Sequence, residues 1–303
     1  MFLGTSAFAA DVLRAMSEAG EAPLLVVTRP DRPRGRGRRV ASPPVAEASR
    51  LLGLPVVQPE RVNDPESVAV IEDQRPDAVC VCAFGALIKE PLLSSHPMLN
   101  VHPSLLPRWR GAAPIERAIM AGDSETGVSI MQLGAGLDDG PVALTAATAI
   151  GAQDDYGTLA ERLAPIGAEL LVRALREGPP FHDQDEAAST YAEKITAEDR
   201  VLDPGRPAVE LERVVRALRP HVGAQAVLPD RSRLGVHASR VLPSGAGPDA
   251  GSPAAGVFAQ GDRLLLGANP GTLELVTVQP PGGRAMDAAA FLRGHRGAVE
   301  PPG

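Results

Sequence analysis

The first two-thirds of this 303-residue chain alternate short, unbroken apolar runs with helix-patterned segments. The runs are LLVVT at 24–28, PVVQ at 55–58, AVCVCA at 78–83 and LNVH at 99–102, with a shorter one at Phe2 and Leu3. A strand that is apolar on both faces must be covered on both faces, as in a parallel sheet flanked by helices. Helical patterns fill the gaps: Phe8, Val12, Leu13 and Met16 share one face, and residues 44–52 and 66–73 also read as helices. This alternation predicts an α/β fold, an open and mostly parallel Rossmann-like sheet with right-handed crossovers. Ligands of such sheets bind outside the carboxyl ends of the strands.

The pattern changes near residue 183. Residues 183–189 are polar and linker-like, 208–218 read as a helix, and strand candidates follow at 224–228, 235–242, 264–266 and 273–278. Gly/Pro-rich turns separate these strands, and residues 244–253 are of low complexity and expected to be mobile. The expected organisation is a first domain at 1–183, a linker at 184–202 and a smaller OB-like β-barrel at 203–303.

Composition narrows the class. No run approaches the ~18 apolar residues of a membrane span. The start, MFLGTSAFAADVL, has no basic residue before a short apolar run that Gly4, Thr5 and Ser6 interrupt, so a secretory leader is not expected and the protein is read as cytoplasmic. Cys80 and Cys82 alternate along one apolar run, so both point to one sheet face and read as buried bystanders. No metal-ligand spacing is present, and Gly4 stands outside any GxGxxG fingerprint. The net charge of −7 hides an asymmetry: residues 203–303 hold eleven arginines against nine acids, and the rest holds nineteen basic against twenty-eight acidic residues. An acidic nucleic-acid partner is therefore compatible with the chain. A monomer is expected.

The stretch NVHPSLLPRWRGAAP, residues 100–114, carries the densest chemistry. Asn100 and His102 lie two apart at the end of an apolar strand, on one face and about 7 Å apart. Pro103 ends the strand. An amide donor and an imidazole are thus presented together, a pair suited to stabilising an oxyanion and moving a proton. An Asn-x-His pair at a strand end also serves simply to satisfy a turn. Trp109, the chain's single tryptophan, reads as packing or support for the Arg108–Arg110 turn. Further on, Asp138 and Asp139 stand in a Gly/Pro-bounded turn after GVSIMQL; such carboxylates are usually solvated, yet one could reach the imidazole and set its tautomer and charge.

The Asn-x-His-x-Ser-Leu-Leu-Pro block resembles the signature of the folate-dependent formyltransferases. The continuation RWRGAAPI (108–115), with TRPDRPRGRGRR (28–39), ETGVSIMQL (125–133) and TYAEKITAED (190–199), places the resemblance in the tRNA-acting branch of that family. In place of the usual Gly-Thr-Pro-x-Phe at the first turn the chain has Gly4–Thr5–Ser6–Ala7–Phe8, and Pro204 follows Asp203 where a Trp is frequent. The resemblance implies a catalytic set of Asn100, His102 and Asp138, with Asp139 at the variable position. It implies folate contacts from Ser104, Leu105, Leu106 and Pro107, and from the backbone of Phe84, Gly85, Ala86, Leu87 and Ile88.

The reaction implied is transfer of the formyl group of 10-formyltetrahydrofolate to the amino group of methionyl initiator tRNA, releasing tetrahydrofolate, without a metal. Asn100 would donate to the developing oxyanion, and His102 would shuttle a proton under the influence of Asp138, since an unperturbed imidazole titrates at about 6.5 and a carboxylate neighbour can tune its charge near neutrality. In the family a loop inserted after residue 28 enters the tRNA acceptor end, which assigns tRNA contacts to Arg34, Arg36, Arg38 and Arg39. Guanidinium groups pair with phosphates and stack on unpaired bases. The weakly basic last hundred residues would add phosphate contacts. Glycinamide ribonucleotide formyltransferases and amino-sugar nucleotide formyltransferases are rival readings within the family, and a non-catalytic RNA-binding protein on the same fold is a rival outside it.

Overall fold

The computed structural model describes residues 1–34, 39–243 and 256–299. In chain order the elements begin with β1 (Phe2–Gly4), α1 (Ala7–Glu18), β2 (Val26–Val27), β3 (Arg32–Arg34), β4 (Arg39–Ala41), α2 (Pro44–Leu51), β5 (Val56–Val57), α3 (Pro65–Glu72) and β6 (Val79–Cys82). They continue with α4 (Leu92–Ser95), β7 (Met98–His102), β8 (Arg110–Gly111), α5 (Pro114–Ala121), β9 (Glu125–Gln132), β10 (Val142–Ala149), α6 (Tyr156–Glu177) and β11 (Tyr191–Ala192). The remainder is α7 (Ala208–Leu218), β12 (Ala224–Val227), β13 (Arg233–Val241), β14 (Gly256–Gln260), β15 (Arg263–Gly267), β16 (Thr272–Gln279), β17 (Met286–Asp287) and α8 (Ala288–His295). Two compact units result: Met1–Pro114, Glu125–Ala149 and Ala160–Ala192 form the first, and Ile115–Ser124, Ile150–Leu159 and Glu193–Gly303 the second.

The first unit is built on a seven-stranded sheet of order β10-β9-β7-β6-β1-β2-β5. The five strands from β7 to β5 are parallel, and β9 and β10 are added antiparallel. The chain builds outward from β1 through β2 to β5, then returns to lay β6 and β7 on the other side of β1. The switch point therefore lies between β1 and β6, where a crevice opens at the carboxyl ends of the strands. The unbroken apolar runs explain this sheet: Phe2, Leu3, Val26, Val27, Val79 and Val81 are all buried. Helix α1 buries Phe8, Val12, Leu13 and Met16, the stripe its spacing predicts. Ser6 caps it, its hydroxyl accepting from the Ala9 N–H at 3.2 Å. The serine thus satisfies an otherwise unpaired helix-end donor.

Cys80 and Cys82 are free and buried. Burial pushes the Cys80 thiol up to about 11 and the Cys82 thiol further still, so neither is reactive at neutral pH. Strand β9 and the long helix α6, with Pro165 inside it, complete the unit. Residues 184–192 belong to the first compact unit. The arginine-rich segment pairs antiparallel at its base, with Arg34 opposite Arg39. Arg36 and Arg38 lie outside the described residues, as does the low-complexity stretch at 244–253.

The second unit carries an antiparallel half-barrel sheet of order β12-β13-β16-β15-β14, with β17 pairing β16. Leu211, Val214, Val215 and Leu218 of α7 pack into its core with Leu234, Val236, Leu264, Leu266, Leu273, Leu275 and Val278. Phe291 and Leu292 of α8 join the same core. Among the described residues, no helix is long and apolar enough to cross a membrane.

Candidate active site

The alternation of β7 sorts its side chains. Val101 faces α6 so closely that a Cβ on Gly167 would fall 2.8 Å from its Cγ1. Asn100 and His102 face the other way, 8% and 4% exposed. After His102 the chain coils tightly: Ser104 N–H donates to the His102 carbonyl at 2.9 Å, and the Ser104 hydroxyl donates to the Arg108 carbonyl at 2.6 Å. Ser129 of β9 locks this coil from below, accepting from Leu106 N–H at 3.1 Å and donating to the Ser104 carbonyl at 2.8 Å. Trp109 then adopts φ +63°. That turn aims its carbonyl at His102, whose Nε2 lies 2.8 Å away.

Asp138 reaches the same place from the turn after β9. Its backbone is left-handed, at φ +50°. One carboxylate oxygen accepts from Asn100 Nδ2 at 3.3 Å, and the other accepts from Gly111 N–H at 2.9 Å. The second oxygen also lies 3.5 Å from His102 Nδ1. The structure therefore brings together Asn100, His102 and Asp138. It adds two backbone groups that no side-chain pattern announces, the Trp109 carbonyl and the Gly111 N–H. The Trp109 ring itself lies under the Arg108 guanidinium, 4.5 Å from it.

These groups stand at one end of a cavity of about 490 Å³ at the carboxyl ends of β6 and β7. Phe84, Gly85, Ala86, Leu87 and Ile88 form one wall, and Leu133 and Leu137 stand on the Asp138 side. The first wall is anchored through its carbonyls. Thr5 Oγ1 donates to Phe84 at 2.7 Å, Arg29 Nη1 to Gly85 at 2.7 Å and Asn63 Nδ2 to Leu87 at 2.8 Å. Ser104, Leu105, Leu106 and Pro107 are not among the residues lining this cavity. Ser104 is fully buried, and Leu105 lies against Gly127 of β9. They form the coil between His102 and Trp109, with Leu105, Leu106 and Pro107 partly buried.

The geometry divides the imidazole's two nitrogens between two tasks. A carbonyl only accepts, so Nε2 carries a proton held against Trp109. Nδ1 faces a carboxylate, so a proton arriving there is stabilised by charge. Asn100 has two amide hydrogens and gives one to Asp138, which leaves the other for an oxygen in the cavity.

Residues 1–175 match the formyl transferase family and residues 194–296 its C-terminal domain. The chain belongs to the formyl transferase family. It is similar to the methionyl-tRNA formyltransferase of Halorhodospira halophila, 44% identical over 306 residues covering 98% of this chain and 96% of that one. It is 43% identical to the protein of the same name from Symbiobacterium thermophilum, over 97% of this chain and 91% of that one. The fold resembles HypX from Aquifex aeolicus in complex with tetrahydrofolic acid, with TM-score 0.67 and 15% identity over 99% of this chain and 48% of that one. It also resembles an N-formyltransferase from Helicobacter canadensis in complex with folinic acid and dTDP-3-aminofucose, with TM-score 0.60 and 13% identity over 90% of this chain and 97% of that one.

The hydrogen-bond pattern predicts that ¹⁵N NMR of imidazole-labelled protein shows a His102 Nε2-bound proton that exchanges slowly with water. A bare Nε2 with the lone proton on Nδ1 would contradict the arrangement.

Proposed function

We propose that this protein transfers the formyl group of 10-formyltetrahydrofolate to the amino group of methionyl initiator tRNA. The observation that carries the reading is the meeting of Asn100, His102 and Asp138 at the end of a largely apolar cavity. A volume of about 490 Å³ lies in the range of small-molecule sites. Its walls suit a flat heterobicycle: Phe84, Ala86, Ile88, Leu133 and Leu137 supply apolar contact, and the anchored backbone at 84–88 supplies edge groups for an amide-like ring. The likeness to methionyl-tRNA formyltransferases supports the tRNA substrate, and the tetrahydrofolic acid and folinic acid bound by the two structural neighbours support the donor.

The donor supplies an activated formyl carbon whose oxygen gains negative charge as the amine adds. The free amide hydrogen of Asn100 meets that oxygen as the charge develops. The attacking nitrogen must lose a proton and the departing folate nitrogen must gain one. His102 Nδ1 takes the first and returns the second, directly or through water, while its Nε2–H stays on Trp109 and fixes the ring. Asp138 stabilises the imidazolium in between and holds the Asn100 amide in rotation. Within this reading, Arg34, Arg36, Arg38 and Arg39 contact the acceptor end of the tRNA, and the second unit adds phosphate contacts.

Formyl transfer from 10-formyltetrahydrofolate, assayed side by side with methionyl initiator tRNA, glycinamide ribonucleotide and an amino-sugar nucleotide, tests the assignment. Turnover on the charged tRNA alone is expected; turnover on either small acceptor instead, or on none, would overturn it. For the arginine segment, Arg36→Ala is expected to raise KM for the tRNA about tenfold or more while KM for the folate donor stays within about twofold. Equal losses for both substrates, or for neither, would contradict it.

A further inference from the structure

The polar stretch after α6 lies against the loops that build the site. His182 exchanges two backbone hydrogen bonds with Val142, at 2.8 and 2.9 Å. Eight residues on, Thr190 accepts the Arg110 N–H on its carbonyl and the Trp109 N–H on its hydroxyl, each at 2.9 Å. Between them, the amide of Gln184 donates both hydrogens to the Asp138 turn, to the Asp138 carbonyl at 2.9 Å and the Gly140 carbonyl at 2.7 Å. Its oxygen accepts from Arg110 Nε at 3.0 Å.

Arg110 makes that orientation one-way. The side chain is 2% exposed and grips Glu186 with both terminal nitrogens, at 3.0 and 2.7 Å. A guanidinium has no acceptor, so the Gln184 oxygen must face it and the NH₂ must face the two carbonyls. Asp138 needs such a hold, because its backbone is left-handed, a region that disfavours residues with a Cβ, and its turn is otherwise rich in glycine.

We propose that Gln184 is a positioning residue for formyl transfer: by bridging the carbonyls of Asp138 and Gly140 it fixes the backbone that aims the Asp138 carboxylate at Asn100 and His102. The role rests on the reading of those three residues as the catalytic set. Gln184 touches no reacting atom and acts only through Asp138.

Gln184→Met keeps the length of the side chain and removes all three hydrogen bonds. Its kcat is expected to fall about tenfold while KM for donor and tRNA stays within about twofold, the mark of an effect confined to the bound state. In an Asp138→Asn background the same substitution is expected to change kcat less than about twofold, because the carboxylate it positions is gone. An unchanged kcat in the single variant, or a full repeat of the loss in the Asp138→Asn background, would overturn the proposal. Gln184→Glu keeps the acceptor for Arg110 and removes both donors, and it serves should Gln184→Met not fold. The ¹⁵N signals of the His102 imidazole report the same positioning without substrate. They shift in the Gln184 variant toward those of Asp138→Asn if the proposal holds, and stay at wild-type values if it fails. Absence of formyl transfer by the wild-type protein would count against the functional reading alone.

Discussion

The site depends on where one carboxylate is held. Asp138 presents its oxygens to the Asn100 amide, the Gly111 N–H and the Nδ1 edge of His102. Without that negative charge, a proton on His102 Nδ1 would have no counter-charge, and the Asn100 amide would be free to rotate. The position is not one that Asp138 reaches by local preference. It requires a left-handed residue in a turn, β7 and β9 side by side, and β8 close enough to lend a backbone N–H. Those demands explain why so much of the first unit is spent on loops rather than on the sheet.

The parallel sheet supplies rigidity and the antiparallel additions supply reach. β6 and β7 end together at the switch-point side of the sheet, so the wall at 84–88 and the pair Asn100–His102 share one cavity. β9, paired antiparallel to β7, sets Ser129 opposite His102, where its hydroxyl closes the coil that turns Trp109 toward the imidazole. In the proposed reading, the chemistry is carried by side chains on a strand, whose positions are fixed by packing, and it is tuned by backbone groups on loops.

How much of this was legible in the residues varies by mechanism. Strand β7 with Asn100 and His102 on one face follows from period-2 geometry, and α7 follows from its apolar stripe. Asp138 could be assigned only through resemblance, because nothing in its own turn points to a partner 38 positions away. The parts played by Trp109 and Gly111 were invisible because they use backbone groups, which every residue has. Residues 104–107, expected at the folate through the resemblance, form the coil after His102, where Ser129 binds Ser104 and Leu106 and Leu105 lies against Gly127. Gln184 stood in a polar stretch that reads as linker; its partners are two carbonyls and a buried arginine, and no sequence pattern encodes a carbonyl.

The central claim is that Asp138, through His102 and Asn100, governs the chemical step rather than substrate binding. A single-turnover measurement of formyl transfer by Asp138→Asn, with donor and charged tRNA both saturating, isolates that step. The account predicts a rate on the order of a hundredfold or more below wild type, with dissociation constants for both substrates within a few-fold of wild type. A single-turnover rate equal to that of the wild-type protein would contradict it.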